Sequence, residues 1–124
     1  MICKIENSIK KSKFIGIVVE IQQNDNIKDI IKKYKEIYHD ATHVCYGYIT
    51  NFNNSENAGY SDDGEPKNTA GKPIYETLRL KKAYNVIVFV VRYYGGKKLG
   101  AGPLIRAYRE ATSDAINLAN QKGA

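Results

Sequence analysis

The chain is poor in the residues that hold small extracellular proteins together, and it has no long apolar run. Its 124 residues include no tryptophan, one methionine, three prolines and two cysteines. Cys3 and Cys45 are too few for a disulfide framework, and His43 with Cys45 gives at most a partial metal site. No run of about 18 apolar residues predicts a membrane helix, and residues 1–14 lack the apolar stretch of a signal peptide. We therefore expect a cytoplasmic protein with no membrane contact, no metal and no cofactor.

Acidic residues are scarce in the second half of the chain. Residues 67–109 contain ten Lys and Arg residues and one acidic residue, Glu76, for a net charge of +9. Residues 1–66 carry a net charge of −2. Clustered positive charge is the footprint of a surface that binds polyanions. The distribution predicts such a partner if the charges meet on one face of the fold.

Hydrophobic periodicity predicts three strands and three helices. β-Branched and aromatic residues predict strands at 12–21, 42–50 and 85–93, and the last is typical of a strand covered on both faces. Apolar residues at helical spacing predict a helix from residue 27 to 38, capped by Asn24 or Asp25. Further helices are predicted to begin near Pro73, ending by Lys82, and near Pro103. Residues 51–57 form a predicted loop, and 59–73 are too rich in Gly, Pro, Asp and Asn for regular structure.

The order of these elements, β-α-β-loop-α-β-α, predicts the fold class. A single domain over residues 1–124 is large enough to bury a core. Alternation of strands and helices favours a two-layer α/β or α+β sandwich.

A turn with four glycines follows the last strand. Gly95, Gly96, Gly100 and Gly102 permit positive φ and close backbone approach to a ligand. The turn lacks the Gly-Lys-Ser/Thr of a P-loop, and Ile105 occupies the third glycine position of a dinucleotide fingerprint. Two interpretations stay open: purely structural glycines, or an anion or partner contact as well. Lys97 and Lys98 favour the second.

Arg92 ends the apolar strand, where an arginine is seldom buried without a partner. The acidic turn that contains Asp62, Asp63 and Glu65 is the natural source of that partner, as an ion pair joining loop to strand. The alternative is a functional site in which Arg92 binds an anion and the carboxylates hold a metal or transfer protons. No hydroxyl or thiol in the sequence has an obvious base, so no catalytic residue is predicted. Tyr93 and Tyr94 are the best candidates for exposed stacking surfaces.

Two long segments resemble the signatures of the IMPACT family. They are YSDDGEPKNTAGKPI (60–74) and VVRYYGGKKLGAGPLIRAY (90–108), and the shorter SKFIG (12–16) and ATHVCYGY (41–48) are similar to that family as well. The resemblance spans residues 12–119. The chain departs from the family at Lys67-Asn68, where small residues are usual, and at Pro103, where a glycine is usual. Pro103 removes one N–H donor from the start of the last helix.

The resemblance implies a fold of the ribosomal protein S5 domain 2-like type, shared with domain IV of elongation factor G. In that fold, helices cover one face of a mixed sheet. Bacterial relatives typically add a ferredoxin-like C-terminal domain, which we expect to be absent here. Eukaryotic relatives carry an N-terminal RWD domain and restrain a starvation-activated kinase of translation initiation. We expect no RWD domain here, and we therefore do not expect that role to transfer.

The expected function is that of a non-catalytic, translation-linked regulatory module. It would bind RNA or a ribosome-associated partner through a basic surface, with contacts to phosphate groups. An enzyme or nucleotide-binding protein that uses the glycine turn for phosphate is one alternative, and a protein–protein interaction module is another. The predicted anion-binding residues are Lys72, Lys97, Lys98, Arg106, Arg109, Gly95 and Gly96, and the predicted structural motif is Asp62, Asp63, Glu65 and Arg92.

Overall fold

The computed structural model describes the backbone of residues 2–122 and the side chains of residues 4–121. The described chain contains five strands and three α-helices in the order ββαββαβα. The strands are β1 (Ile2–Ile9), β2 (Ser12–Glu20), β3 (His43–Thr50), β4 (Asn57–Ser61) and β5 (Val86–Tyr93). The helices are α1 (Ile27–Ile37), α2 (Gly71–Leu80) and α3 (Ala101–Lys122). Among the described residues, no helix is long and apolar enough to cross a membrane.

The five strands form one open sheet in the order β1-β2-β5-β3-β4. All four strand pairings are antiparallel. The α+β class is confirmed, whereas the mixed sheet that the family resemblance implied is wrong for the described strands. The first two strands are joined by a two-residue turn, and β5 lies at the centre.

Helices cover both faces of the sheet. Alternate residues of β5 enter two separate cores: Val88 and Val90 pack under α2 and α3, and Ile87, Phe89 and Val91 face the other side. On that second face α1 packs through Tyr34, whose ring stacks on Phe89 at 4.8 Å between centroids. The prediction that β5 is buried on both faces is therefore confirmed. The expected arrangement of two layers is wrong, because α1 adds a third.

Strands β1 and β4 were not predicted from the sequence. β1 mixes charged and apolar residues in an edge strand, so it lacks the apolar density of β2 and β5. β4 lies where Asn and Gly residues indicated a loop, and its five residues are mostly exposed. β1 is held by its pairing with β2, and β4 by its pairing with β3, and both partners are more apolar.

The other elements lie close to their predicted positions, with shifted ends. Helix α1 is capped by Asn26, whose side chain accepts a hydrogen bond from the Asp29 amide at 3.2 Å, rather than by Asn24 or Asp25. Helices α2 and α3 each begin two residues before the predicted proline, at Gly71 and Ala101. Because proline is tolerated throughout the first helical turn, its position does not fix the first residue.

Candidate functional site

One end of the sheet brings both signature segments together. The antiparallel register pairs His43 with Arg92 and Lys13 with Tyr93, so the start of β3, the end of β5 and the β1–β2 turn lie at the same end. The pairing of Tyr46 with Ser61 brings the end of β4 there as well. Both α2 and α3 begin at this end. We call it the basic end, for the cations described below.

A buried ion pair joins β5 to the acidic turn. Nη1 of Arg92 donates to the two carboxylate oxygens of Glu65 at 2.9 and 2.8 Å. The guanidinium also contacts Oγ of Ser12 at 3.3 Å through Nε and Nη2. Arg92 and Glu65 are 4% and 8% exposed, so the pair is shielded from water. Of the three acidic residues of the turn, the structure places Glu65 against Arg92, whereas Asp62 and Asp63 make other contacts.

Two buried side chains extend this network into the core. The Tyr108 hydroxyl donates to Glu65 at 2.5 Å, and the Cys45 Sγ lies 3.1 Å from the Asp62 carbonyl oxygen. Burial raises the pKa of the Tyr108 hydroxyl above its ordinary value, so Tyr108 stays a neutral donor. Burial, reinforced by the nearby carboxylates, also raises the pKa of the Cys45 thiol. A neutral, buried thiol is a poor nucleophile.

Asp62 and Asp63 stabilise the loop that joins β4 to α2. Oδ1 of Asp62 accepts hydrogen bonds from the amides of Ala70 and Gly71 at 3.2 and 2.8 Å, at the N-terminus of α2. Oδ2 of Asp63 accepts the Val44 amide at 2.6 Å, and Oδ1 lies 3.3 Å from the Lys35 ammonium. The carboxylates of the acidic turn therefore already have protein donors. Among the described residues, no group of three or more His, Cys, Asp and Glu side chains is arranged to hold a metal ion.

The glycine turn packs against the β1–β2 turn. A Cβ atom on Gly95 would lie 2.0 Å from the carbonyl oxygen of Lys11, so only glycine fits there. Gly96 has a φ of 87°, in the left-handed region that glycine adopts readily. These positions give the two glycines an architectural role, and sequence reasoning could not identify the β1–β2 turn as the partner of Gly95.

The β1–β2 turn places two lysines at the basic end. Lys10 and Lys11 are its central residues, with φ values of 46° and 68°. Turns of this geometry favour Asn-Gly, because most side chains are strained at positive φ. Such strain at an exposed, charged turn is a pointer to function. The positive charge of residues 67–109 gave no reason to include these two lysines, which come from the acidic half of the chain.

Seven exposed cations lie at the basic end without an ion-pair partner among the described residues. The N-terminus of α3 adds partial positive charge at the same end, and the first turn of α3 has no acidic residue. The N-terminus of α2 is already capped by the Asp62 carboxylate. Positive charge therefore faces solvent, while the neighbouring carboxylates of the acidic turn accept hydrogen bonds from the protein. The seven are Lys10, Lys11, Lys67, Lys72, Lys97, Lys98 and Arg106.

Arg109 stands apart from this group. It lies two turns along α3, where its guanidinium is 4.0 Å from the Glu76 carboxylate. It lines a groove between α2 and α3, together with Tyr75 and Leu80. Arg109 lies one turn beyond Arg106 on α3, and its role in anion binding stays a prediction.

A cleft of about 450 Å³ opens at the basic end. The start of β3, the acidic turn, the end of β5, the glycine turn and the first turn of α3 all contribute to its walls. At its base the imidazole of His43 contacts the Asp63 carbonyl oxygen through Nδ1 at 2.8 Å. Its Nε2 lies 3.3 Å from a carboxylate oxygen of Glu65. The cleft thus joins the buried network to the exposed cations.

Comparisons with known proteins cover both signature segments. The family model described as the Impact N-terminal domain matches residues 10–116. The chain is 38% identical over 109 residues to the IMPACT family member YvyE of Bacillus subtilis, covering 88% of this chain and 50% of that protein. It is 34% identical over 113 residues to YigZ of Escherichia coli, covering 90% of this chain and 55% of that protein. The chain therefore spans about half the length of these relatives.

Two solved structures are similar to the fold. One, described as the crystal structure of a hypothetical protein, is 33% identical with a TM-score of 0.85, over 94% of this chain and 57% of its own. The other is the two-domain translational regulator Yih1, 20% identical with a TM-score of 0.55, over 91% of this chain and 45% of its own. At that identity the likeness to Yih1 shows the fold alone.

Proposed function

The chain belongs to the IMPACT family, and from this we propose that it is a non-catalytic, translation-linked regulatory module that binds RNA through its basic end. The observation that carries the proposal is the contrast in charge at that end. The cations are exposed and unpaired among the described residues, whereas the carboxylates of the acidic turn accept hydrogen bonds from the protein. A phosphate backbone is the polyanion that such a surface fits.

The link to translation is part of this proposal and comes from the relatives. The structural neighbour Yih1 is described as a translational regulator, and a further relative is described as a protein IMPACT homolog of Dictyostelium discoideum. A cytoplasmic location would suit such a role. The chemistry of the site supports a binding role over catalysis, because the Cys45 thiol is buried and its pKa is raised.

The S5 domain 2-like assignment of the fold is likewise a proposal. Helices α2 and α3 together on one face of the sheet support it. Superposition of this structure on the S5 domain is the test, and the antiparallel order β1-β2-β5-β3-β4 is the feature to compare.

Salt dependence of RNA binding tests the proposed function. Fluorescence anisotropy with a labelled RNA is expected to show affinity that falls steeply with salt, because each neutralised phosphate releases counterions. Lys97→Ala/Lys98→Ala is expected to weaken binding and to make the negative slope of log K against log salt shallower by about 1.4, if both lysines contact single-stranded phosphates. Lys28→Ala/Lys32→Ala is the matched control, since it removes the same charge from exposed positions of α1.

Three outcomes separate the alternatives. No RNA binding at low salt, or equal effects of the two double variants, would contradict the proposal. Capture of a ribosome-associated protein that resists high salt would favour the protein–protein alternative. Thermal stabilisation by a nucleotide, lost in Lys97→Ala, would favour the nucleotide-binding alternative.

A further inference from the structure

The cleft at the basic end has the walls of a site for a flat, partly apolar group. Leu99 and Leu104, which are 8% and 3% exposed, form one side with their aliphatic side chains, and Pro66 lies on the acidic-turn side. A volume of about 450 Å³ falls within the range of small-ligand pockets. The cleft is open to solvent next to exposed lysines, so a group that enters it can remain attached to a larger molecule.

Tyr94 supplies an aromatic surface in this cleft. The residue is 45% exposed, and the Arg92 guanidinium lies 5.5 Å from its ring centroid. Because Arg92 is fixed by Glu65, it holds the ring against the protein. The backbone amide of Tyr94 donates to Thr42 Oγ1 at 2.9 Å, which fixes the backbone too. A ring anchored in this way loses little conformational entropy when a planar group stacks on it.

The polar groups of the cleft suit the edge of a nucleobase. The Thr42 hydroxyl accepts the Tyr94 amide and keeps its own hydrogen to donate. The His43 ring, whose side chain is 18% exposed, lines the cleft as a flat surface, because both of its nitrogens already contact Asp63 and Glu65. Lys98 lines the cleft and has no ion-pair partner among the residues described, so it can meet a phosphate at the opening. Aromatic, aliphatic, hydrogen-bonding and cationic groups therefore surround one space.

We propose that this cleft binds a single unpaired base of the RNA, with Tyr94 as the stacking surface and Lys98 on the adjoining phosphate. The inference rests on the proposed function and adds a substrate class: single-stranded or looped RNA over duplex. Bases in an A-form helix are stacked and paired, so they cannot enter a cleft without being unpaired first. Sequence-specific proteins commonly recognise unpaired bases by stacking them on aromatic rings and bonding to their edges.

The experiment compares a hairpin RNA carrying 2-aminopurine in its loop with a fully paired duplex of equal charge, at about 50 mM salt. Tighter binding of the hairpin is expected, with quenching of 2-aminopurine as the base stacks. Tyr94→Ala is expected to weaken hairpin binding about tenfold and to abolish the quenching, with duplex binding unchanged. Tyr94→Phe keeps the ring and is expected to restore both. Tyr84→Ala is the control, since Tyr84 is also exposed, at 37%, and lies near the start of β5 at the other end of the sheet.

The outcomes distinguish this inference from the function on which it rests. Equal affinity for hairpin and duplex, or an effect of Tyr94→Ala no larger than that of Tyr84→Ala, overturns the base-binding cleft and leaves RNA binding by the basic end intact. Absence of any RNA binding in the wild-type protein overturns both. Circular dichroism of each variant establishes that a loss of binding is not a loss of folding.

Discussion

At the scale of single residues, Arg92 and Glu65 form a buried ion pair that joins β5 to the acidic turn. An arginine at the end of an apolar strand indicated a buried partner, and the acidic turn offered three carboxylates. The sequence could not choose among them, because the choice depends on how the turn folds over the start of β3. Asp62 is used at the start of α2 and Asp63 on the Val44 amide, which leaves Glu65 to meet Arg92 and Tyr108.

Substitutions in the buried pair of Arg92 and Glu65 are expected to lower the free energy of unfolding strongly, with effects that do not add. Arg92→Met is expected to lower the free energy of unfolding by about 3–5 kcal/mol, because it leaves the Glu65 carboxylate buried without its cation. Glu65→Gln/Arg92→Met is expected to be less destabilised than the sum of its single variants. Urea denaturation measures each variant.

The control for this cycle is the exposed pair of Arg79 with Glu56, in which two guanidinium nitrogens each donate to one carboxylate oxygen, at 2.8 and 2.9 Å. Arg79→Met is expected to change stability little, because solvent screens an exposed pair. A cost of Arg92→Met no greater than that of Arg79→Met would refute the structural role of the buried pair.

At the scale of elements, the β1–β2 turn is the feature that sequence reasoning missed. The Ser-Ile-Lys-Lys-Ser run carries no Gly, Asn or Asp to indicate a tight turn. It forms because all eight residues of β1 pair with β2. That pairing imposes positive φ on Lys10 and Lys11 and sets Gly95 against the turn. Pairing energy from the whole hairpin thus overrides a local preference.

Substitutions at Lys10 and Lys11 are expected to change the stability of the fold and the affinity for RNA in opposite directions. Lys10→Asn/Lys11→Gly is expected to stabilise the fold by about 1 kcal/mol, because both new residues tolerate positive φ. The same variant is expected to bind RNA more weakly, since it removes two cations from the basic end. Thermal unfolding and anisotropy measure the two effects.

Alanine at both positions separates charge from strain. Lys10→Ala/Lys11→Ala is expected to lose binding to the same extent without the gain in stability. Wild-type affinity in the Asn-Gly variant would remove this turn from the interface.

At the scale of the whole molecule, the sheet separates two cores that differ in how firmly they hold their helices. Helices α2 and α3 bury many side chains under one face, whereas Tyr34 is the buried residue of α1. The basic end lies beside the core under α2 and α3, and the glycine turn leads into α3 there. The α1 layer supports the opposite face of β5 and contributes Lys35 to Asp63.

This difference predicts local opening of α1. Tyr34→Ala is expected to reduce amide hydrogen-exchange protection in α1 far more than in β5, because the helix loses its main buried contact. Leu78→Ala, at a fully buried position of α2, is expected to cost about 2–5 kcal/mol and to reduce protection throughout. Equal loss of protection in α1 and β5 for Tyr34→Ala would show that the two layers unfold together.

The sequence by itself determined the elements whose signal is local. The apolar run of β5, the helical spacing of α1 and the paired signature segments depend only on neighbouring residues. They predicted an α/β or α+β fold and identified the family. Tertiary structure alone decided which distant groups meet. Antiparallel register places the turn of Lys10 and Lys11 against Gly95, and the fold of the acidic turn assigns Glu65 to Arg92. Such contacts arise from strand pairing across many residues, and no local pattern of side chains encodes them.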